Sequence, residues 1–284
     1  MLVKRTMKFL NFKSALPKTT SITALVATAS LLSTPMALAK DPITEKKVNV
    51  KDAEMLEKSD EKSEWVQLFN GKDLTGWTPK FKGSKLGINY KNVFKVKDGV
   101  LVVDYSEYGD WDGKFGHLFY EKEFSHYILR AEYRFVGEQS KNGPKWALRN
   151  NGFMIHGQTP ETMGLKQDFP NSIEVQLLGG PEEGERSNLS ICTPGTHIEK
   201  DGKLIKKHVI KSKGPTNRGD EWYSIEVEVK GSEVIRHKQD GKVIMEYNKP
   251  QLNDGTLLEK GTISIQSESH HTEFRKIEIK EIKK

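Results

Sequence analysis

Two short segments near the middle of the chain combine a buried-strand pattern with residues that can do chemistry. In residues 172–178, Glu174 and Gln176 alternate with apolar residues, and in residues 152–158 Met154 and His156 do so. Side chains two apart in a strand lie on the same face, so we expect Phe153, Ile155, Ile173, Val175 and Leu177 to point into a core. If the two strands are neighbours in a curved sheet, their outward polar residues line a groove.

Several catalytic motifs are missing from the sequence. It contains no G-x-S-x-G, C-x-x-C, H-E-x-x-H, phosphate-binding loop or G-x-G-x-x-G pattern. Cys192, the only cysteine, excludes an intramolecular disulfide. Its strand-like context favours a buried small residue over a reactive thiol.

The elements that must position these residues are strands. The segment "NVFKVKDGVLVVDY" predicts a hairpin in which Phe94 and Val96 pair across Asp98-Gly99 with Leu101 and Val103. Further hairpin turns are expected at residues 201–202 and 240–241, with short alternating strands following closely. Scarcely any segment has helical periodicity. The pattern over residues 65–284 therefore predicts an all-β, two-sheet antiparallel jelly-roll sandwich.

The N-terminal region has a different composition. Residues 1–39 resemble a cleavable export signal, with five basic residues, an apolar stretch at residues 22–32 and an A-x-A site ending at Ala39. Residues 40–64 are charged and poor in aromatics, as expected of a linker or arm. Cleavage after Ala39 would leave 40 basic and 39 acidic residues, a net charge of +1. We therefore expect a periplasmic or secreted protein that binds neither nucleic acid nor, once cleaved, a membrane.

Several segments resemble the 3-keto-disaccharide hydrolase family. They are "WVQLFNGKDLTGWT" from Trp65, "NNG" from Asn150, "IEVQLL" from Ile173, "VIRHKQDGK" from Val234 and the C-terminal run from Gly261 to Ile282. The resemblance covers residues 65–282, and its first string is the most specific. It implies a concanavalin A-like, glucanase-like jelly roll that cleaves the glycosidic bond of sugars oxidised at C3. One departure is Gln266-Ser267-Glu268-Ser269, where the family often has Gln-x-His-Gly.

The implied chemistry needs few groups. A jelly-roll glucanase carries E-x-D-x-x-E on one strand, whereas this chain has Glu174, Gln176 and Gly179 at those positions, so direct displacement on an unmodified sugar is disfavoured. In a 3-keto sugar the ketone acidifies the hydrogen on C2, so one base starts a β-elimination that expels the glycosidic oxygen. Water can then add to the resulting enone. The resemblance makes Glu174 and His156 the catalytic candidates, with Gln176 orienting substrate.

Other polar residues are candidates for holding an oligosaccharide or glycoside substrate. They are Arg149, Asn150, Asn151, His237, Gln266, Glu268 and Trp146. Each also has an ordinary structural role open to it, as a turn residue, a strand-surface group or a core aromatic. No cofactor is certain, although a divalent metal held by His156, Glu174 and Glu268 is possible.

A second function remains open, because the same jelly roll serves non-catalytic, lectin-like carbohydrate-binding modules. A pocket that joins Glu174 to two or more of His156, His237 and Glu268 would favour the enzyme. A flat aromatic strip with Glu174 facing bulk water would favour the binding module.

Overall fold

The computed structural model of the protein describes residues 64–284. Within that range the chain forms two antiparallel sheets and three single-turn 3₁₀ helices, at Tyr90–Asn92, Lys145–Ala147 and Pro160–Thr162. The architecture confirms the predicted all-β, two-sheet jelly-roll sandwich. The predicted signal segment, and all but Glu64 of the predicted arm, lie outside the described residues. None of the described helices is long and apolar enough to cross a bilayer.

The strands, numbered in chain order, divide into a larger and a smaller sheet. The larger sheet contains β1 (Val66–Gln67), β3 (Phe94–Lys97), β4 (Val100–Val103), β6 (His126–Gln139), β10 (Thr196–Lys200), β11 (Lys203–Ile205), β13 (Tyr223–Lys230), β14 (Val234–Gln239), β15 (Lys242–Leu252) and β17 (His270–Glu281). The smaller sheet contains β2 (Trp77–Phe81), β5 (Gly116–Phe124), β7 (Asn150–Gly157), β8 (Ile173–Leu178), β9 (Ser190–Cys192), β12 (Val209–Ile210) and β16 (Gly261–Ser267).

The order of strands differs from their order in the chain. The larger sheet runs β11-β10-β15-β14-β13-β6-β17-β4-β3, with β1 also paired to β17. The smaller sheet runs β12-β9-β8-β7-β16-β5-β2. Strands β7 and β8 are therefore neighbours, which is the condition for their outward residues to line one groove, and β16 lies beside β7 from the C-terminal part of the chain.

The three predicted Asp-Gly hairpins are all present. Phe94 pairs with Val103 across the turn at residues 98–99, in the predicted register. The turns at residues 201–202 and 240–241 join β10 to β11 and β14 to β15. Both residues of each turn have positive φ, which the tight turn between twisted strands requires and which Asp-Gly adopts readily.

The hydrophobic core lies between the two sheets. Alternate residues of β7 and β8, such as Phe153 and Val175, are buried there, as predicted, and Phe153 packs edge-on against Phe274 of the larger sheet, with 5.5 Å between ring centroids. Fully burying each large apolar side chain contributes roughly 1.5–3 kcal/mol. This inward packing fixes which side chains of β7 and β8 point outward.

The outer faces of the two sheets differ. On the larger sheet, cross-strand ion pairs such as Arg134–Glu273 at 2.6 Å and Lys238–Glu228 at 2.8 Å satisfy the charged side chains. On the smaller sheet, the outward side chains of the central strands are buried beneath loops. The polar residues of interest lie on that second face.

Candidate active site

The outer face of the smaller sheet forms the floor of a cleft with a volume of about 1670 Å³. Glu174 and Gln176 project into it from β8, because the residues between them point into the core. Register places Met154 of β7 and Cys192 of β9 on either side of Glu174. Ligand pockets for small molecules usually measure about 300–1,000 Å³, so this cleft suits a ligand of more than one sugar ring.

Loops from both sheets form the walls of the cleft. Their lining side chains include Trp146, Arg149, Phe169, Arg186, His208 and Arg218. Trp146 is 53% exposed and stacks on Phe115, with 5.9 Å between ring centroids. Phe115 in turn contacts Phe169 at 4.9 Å. One wall therefore presents an aromatic surface whose outermost indole is free to meet a ligand.

Glu174 is a buried carboxyl group on the cleft floor. Only 4% of it is exposed, and its Oε1 has no hydrogen-bond partner among the described residues. A Cβ added at Gly152 would lie 2.6 Å from that oxygen, so the carboxyl group rests directly over the neighbouring strand. Burial raises the pKa of Glu174 to about 8, although a hydrogen bond from the Cys192 thiol opposes the shift. A carboxylate formed there is a stronger base than an exposed one.

Glu268 is the second buried carboxyl group in the cleft. It follows β16 directly and is 3% exposed. Gln266 donates a hydrogen bond of 2.7 Å from Nε2 to its Oε1, whereas its Oε2 has no partner within the described range. Burial, and then repulsion by Glu174, raise the pKa of Glu268 well above its ordinary value, while Arg186 lowers it. The two carboxyl groups thus interact electrostatically inside one cleft.

Arg186 brings a positive charge to the same wall. Its guanidinium donates to the carbonyl oxygens of Trp146 at 2.9 Å and Gly179 at 3.1 Å, and also to that of Leu148. It forms no ion pair among residues 64–284. Burial lowers the pKa of Arg186, and the nearby Glu268 raises it. The side chain therefore anchors the Trp146 loop while its charge remains available to an anion in the cleft.

Two further polar residues line the cleft without hydrogen-bond partners in the described part of the chain. Neither ring nitrogen of His270 has a partner, nor does Oδ1 of Asn150. Burial, followed by the charge of Arg149, lowers the pKa of His270 to about 4, so its imidazole is neutral at neutral pH. These atoms are available to a ligand or to water.

The predicted substrate-binding residues divide into two groups. Arg149, Asn150, Gln176, Glu268 and Trp146 line the cleft. Arg149 is also held by the carbonyl oxygen of Gly219 at 2.6 Å and the carboxylate of Asp220 at 3.0 Å. Gln266 does not line the cleft but holds Glu268 in place.

His156 lies away from Glu174, which corrects the expectation that both share the outer face. Pairing with β16 shifts by one residue between Met154 and Gly157, so β7 carries a bulge there, and His156 has a φ of 49°. A bulge breaks the strict alternation of faces. The imidazole Nε2 instead bonds with the carbonyl oxygen of Gly231, at 3.0 Å, in the turn between β13 and β14.

His237 and Asn151 also differ from expectation, because both point between the sheets. The ring nitrogens of His237 bond with the carbonyl oxygen of Leu189 and the hydroxyl of Tyr247, each at 3.0 Å. The side chain of Asn151 bonds with Thr272 of β17 at 3.3 Å. Asn151 lies two residues before the core residue Phe153 in β7, so the alternation of faces already implied that the side chain of Asn151 points inward.

The proposed metal trio is not assembled. His156 is turned away from Glu174 and Glu268, and residues 64–284 contain no group of three or more His, Cys, Asp or Glu side chains placed to hold a metal.

Three functional candidates escaped sequence reasoning. Arg186 lies in an irregular loop, where no periodic pattern indicates the direction of a side chain. His270 and His271 are adjacent in β17, so their side chains point to opposite faces of the strand. Cys192 is buried, as predicted, but its contact with Glu174 depends on the pairing of β8 with β9. Only the register between β8 and β9 shows that Cys192 lies beside Glu174.

Comparison with known proteins identifies the family. The 3-keto-alpha-glucoside-1,2-lyase-like domain matches residues 64–280. The chain belongs to this family. The match confirms the resemblance found in the sequence and supports a carbohydrate-active role for this 3-keto-alpha-glucoside-1,2-lyase-like domain. No curated protein matches the chain.

Solved structures similar to this domain share little sequence with it. A provisionally assigned glycosyl hydrolase from Parabacteroides distasonis is 15% identical, with a TM-score of 0.49 over 77% of this chain and 100% of that one. A protein of unknown function with a galectin-like fold from Bacillus subtilis is 13% identical, with a TM-score of 0.48 over 77% and 94%. A Bacillus licheniformis β-glucanase is 10% identical, with a TM-score of 0.45 over 78% and 98%.

Proposed function

We propose that this domain cleaves the glycosidic bond of 3-keto-glycosides by abstraction of the C2 proton and β-elimination. The observation that carries the proposal is the buried carboxyl group of Glu174, which lines a cleft of oligosaccharide size and whose Oε1 has no hydrogen-bond partner among the described residues. Family membership supports the choice of substrate class.

Glu174 is the general base of this reaction. Its carboxylate takes the proton from C2, the electron pair passes into the carbonyl as an enolate, and return of that pair expels the oxygen on C1. The C2–H and C1–O bonds break, a C1=C2 double bond forms, and the aglycone leaves with a proton. Addition of water to the enone would complete a net hydrolysis.

The cleft supplies groups suited to the enolate. Arg186 carries a positive charge without a carboxylate partner in the described range, and Gln176 offers an amide on the same face as the base. Donors and charges already fixed in place stabilise a developing anion without reorganisation. Gln176 therefore orients the sugar, and Arg186 contributes electrostatic stabilisation.

The experiment compares turnover of 3-keto-trehalose and 3-keto-lactose with that of their unoxidised parents. Glu174→Gln should lower turnover of the oxidised sugars by roughly 10²-fold or more, the lower end of what a positioned acid or base contributes. Glu183→Gln is the matched control, because Glu183 is an exposed carboxylate at the rim of the same cleft. Unchanged turnover in Glu174→Gln would reject Glu174 as the base.

A non-catalytic binding module is the alternative, and the exposed indole of Trp146 favours a sugar-binding surface of that kind. The buried Glu174 weighs against it, since this carboxyl group does not face bulk water. The presence of His156, His237 or Glu268 in the same pocket as Glu174 would favour an enzyme. Of these three residues, only Glu268 lines the cleft with Glu174. Sugar binding without turnover of any 3-keto substrate would select the binding module.

A further inference from the structure

Glu174 and Glu268 form a pair with matching surroundings. Each is more than nine-tenths buried, lines the same cleft and has one oxygen without a hydrogen-bond partner in the described chain. Each also accepts one neutral donor, the Cys192 thiol for Glu174 and the Gln266 amide for Glu268. Neither forms an ion pair with a residue between 64 and 284.

Two such groups do not ionise together readily. Transfer of a carboxylate out of water is costly, and a second negative charge nearby adds repulsion. Arg186 offsets part of this cost, but its guanidinium is bonded to backbone carbonyl groups. The pair therefore keeps a proton at pH values where exposed carboxyl groups have lost theirs.

We propose that Glu174 and Glu268 act as a proton-sharing pair, in which Glu174 is the base and Glu268 is the acid that protonates the leaving glycosidic oxygen. This assignment rests on the proposed β-elimination. It gives Glu268 a catalytic role beyond substrate binding.

The hydrogen bonds assign the two roles. Because Gln266 donates to Oε1 of Glu268, that oxygen is an acceptor, and the acidic proton resides on the unpartnered Oε2. This proton has no acceptor within the described protein and is free to approach a leaving oxygen. The Cys192 thiol donates to Glu174 instead, which favours its carboxylate form.

The proton count balances over one turnover. Glu174 begins as a carboxylate and gains the C2 proton, while Glu268 begins protonated and gives its proton to the C1 oxygen as that bond breaks. The pair ends with one proton, now on Glu174. Transfer of this proton to Glu268 restores the starting state without an external acid or base.

Other ionisable groups around the pair come from each adjoining element. They include Cys192 from β9, His270 from β17, Tyr105 from the segment after β4, and Arg149, Arg186 and His208 from the cleft loops. His270 is neutral at neutral pH and the thiol is protonated, because burial lowers the pKa of the first and raises that of the second. Arg186 favours ionisation of Glu268, which limits the pair to one retained proton.

The first test separates acid from base by the leaving group. Glu268→Gln should lower cleavage of a 3-keto-disaccharide by roughly 10²-fold or more, because a sugar hydroxyl needs protonation to leave. It should change cleavage of p-nitrophenyl 3-keto-glucoside by less than about threefold, since p-nitrophenolate leaves without an acid. Glu174→Gln should lower both, and Glu183→Gln neither. Equal loss on both substrates in Glu268→Gln, or no loss on either, would overturn the acid role.

The second test needs no turnover. Infrared titration of the carboxyl C=O stretch should detect a protonated carboxyl at neutral pH in the wild type and in Glu183→Gln. In Glu174→Gln, the midpoint of Glu268 should fall, because the repelling carboxylate is gone. A wild type with no protonated carboxyl at neutral pH would overturn the pair. A wild type that titrates as expected but cleaves no 3-keto-glycoside would reject the proposed function and leave the shared proton standing.

Discussion

Replacing Glu174 by Gln should make the protein more stable, increasingly so as the pH rises. The folded protein raises the pKa of this carboxyl group from 4.5 to about 8. Its contribution to stability is therefore fully present below pH 4.5 and is lost progressively as the pH rises towards 8, because the unfolded chain ionises first. A glutamine does not ionise and removes that pH dependence.

The magnitude follows from the two pKa values. Between pH 5 and pH 7 the unfolded state gains about 2–3 kcal/mol from ionisation of Glu174 that the folded state does not share. The free energy of unfolding of Glu174→Gln, minus that of the wild type, should rise by about this amount over the same interval. Taking the difference cancels the buried histidines, whose lowered pKa values act in the opposite direction.

Urea unfolding followed by tryptophan fluorescence, at several pH values between 5 and 8, measures this difference. Glu183→Gln should give a pH profile parallel to that of the wild type, because its carboxylate is exposed. A parallel profile for Glu174→Gln as well would refute the argument. It would mean that Glu174 is solvated in solution and that its carboxylate is no stronger a base than an exposed one.

The remaining predictions concern the floor, the wall and the N-terminus. Gly152→Ala should reduce turnover by about 10- to 100-fold, because the new Cβ would displace the carboxyl group of the base. Gly164→Ala is the control and should retain activity, because its Cβ would make only ordinary van der Waals contacts. Trp146→Ala should raise KM about two- to tenfold with little change in kcat, whereas Trp146→Phe should largely restore binding. We also propose export, so N-terminal sequencing of the mature protein should begin at Lys40; intact Met1 in the membrane fraction would contradict this.

Local sequence patterns predicted the framework of the fold well. The hairpin at residues 98–99 has its predicted register, because Asp-Gly specifies a tight turn and the turn fixes the pairing of its strands. The outward direction of Glu174 and Gln176 followed from the period of β8, whose intervening residues are all buried. In these places local propensity and tertiary packing favour the same structure.

Prediction failed where local pattern and long-range pairing disagree. In the sequence, His156 continues the alternation of polar and apolar residues along β7. The bulge in β7 places one extra residue opposite β16, however, so the side chain of His156 points to the other face of the sheet. Such a bulge depends on the partner strand, which lies about a hundred residues further along the chain. The pairing of Glu174 with Cys192 and its electrostatic interaction with Glu268 have the same origin, since β9 and β16 reach the site through pairings that no local period encodes.

Several buried polar atoms on the cleft side of the smaller sheet lack hydrogen-bond partners in the described part of the chain. Oε1 of Glu174, Oε2 of Glu268 and Oε1 of Gln266 are all buried on the smaller sheet without partners in the described range. Each such group destabilises a fold by about 1–3 kcal/mol when it stays unpaired. The larger sheet instead pairs its outer charges across strands, and the core between the sheets supplies the hydrophobic stability. Glu174 and Glu268 line the cleft, so a ligand bound there can supply the partners that their buried oxygens lack. This is the arrangement that proton transfer to and from a bound sugar requires.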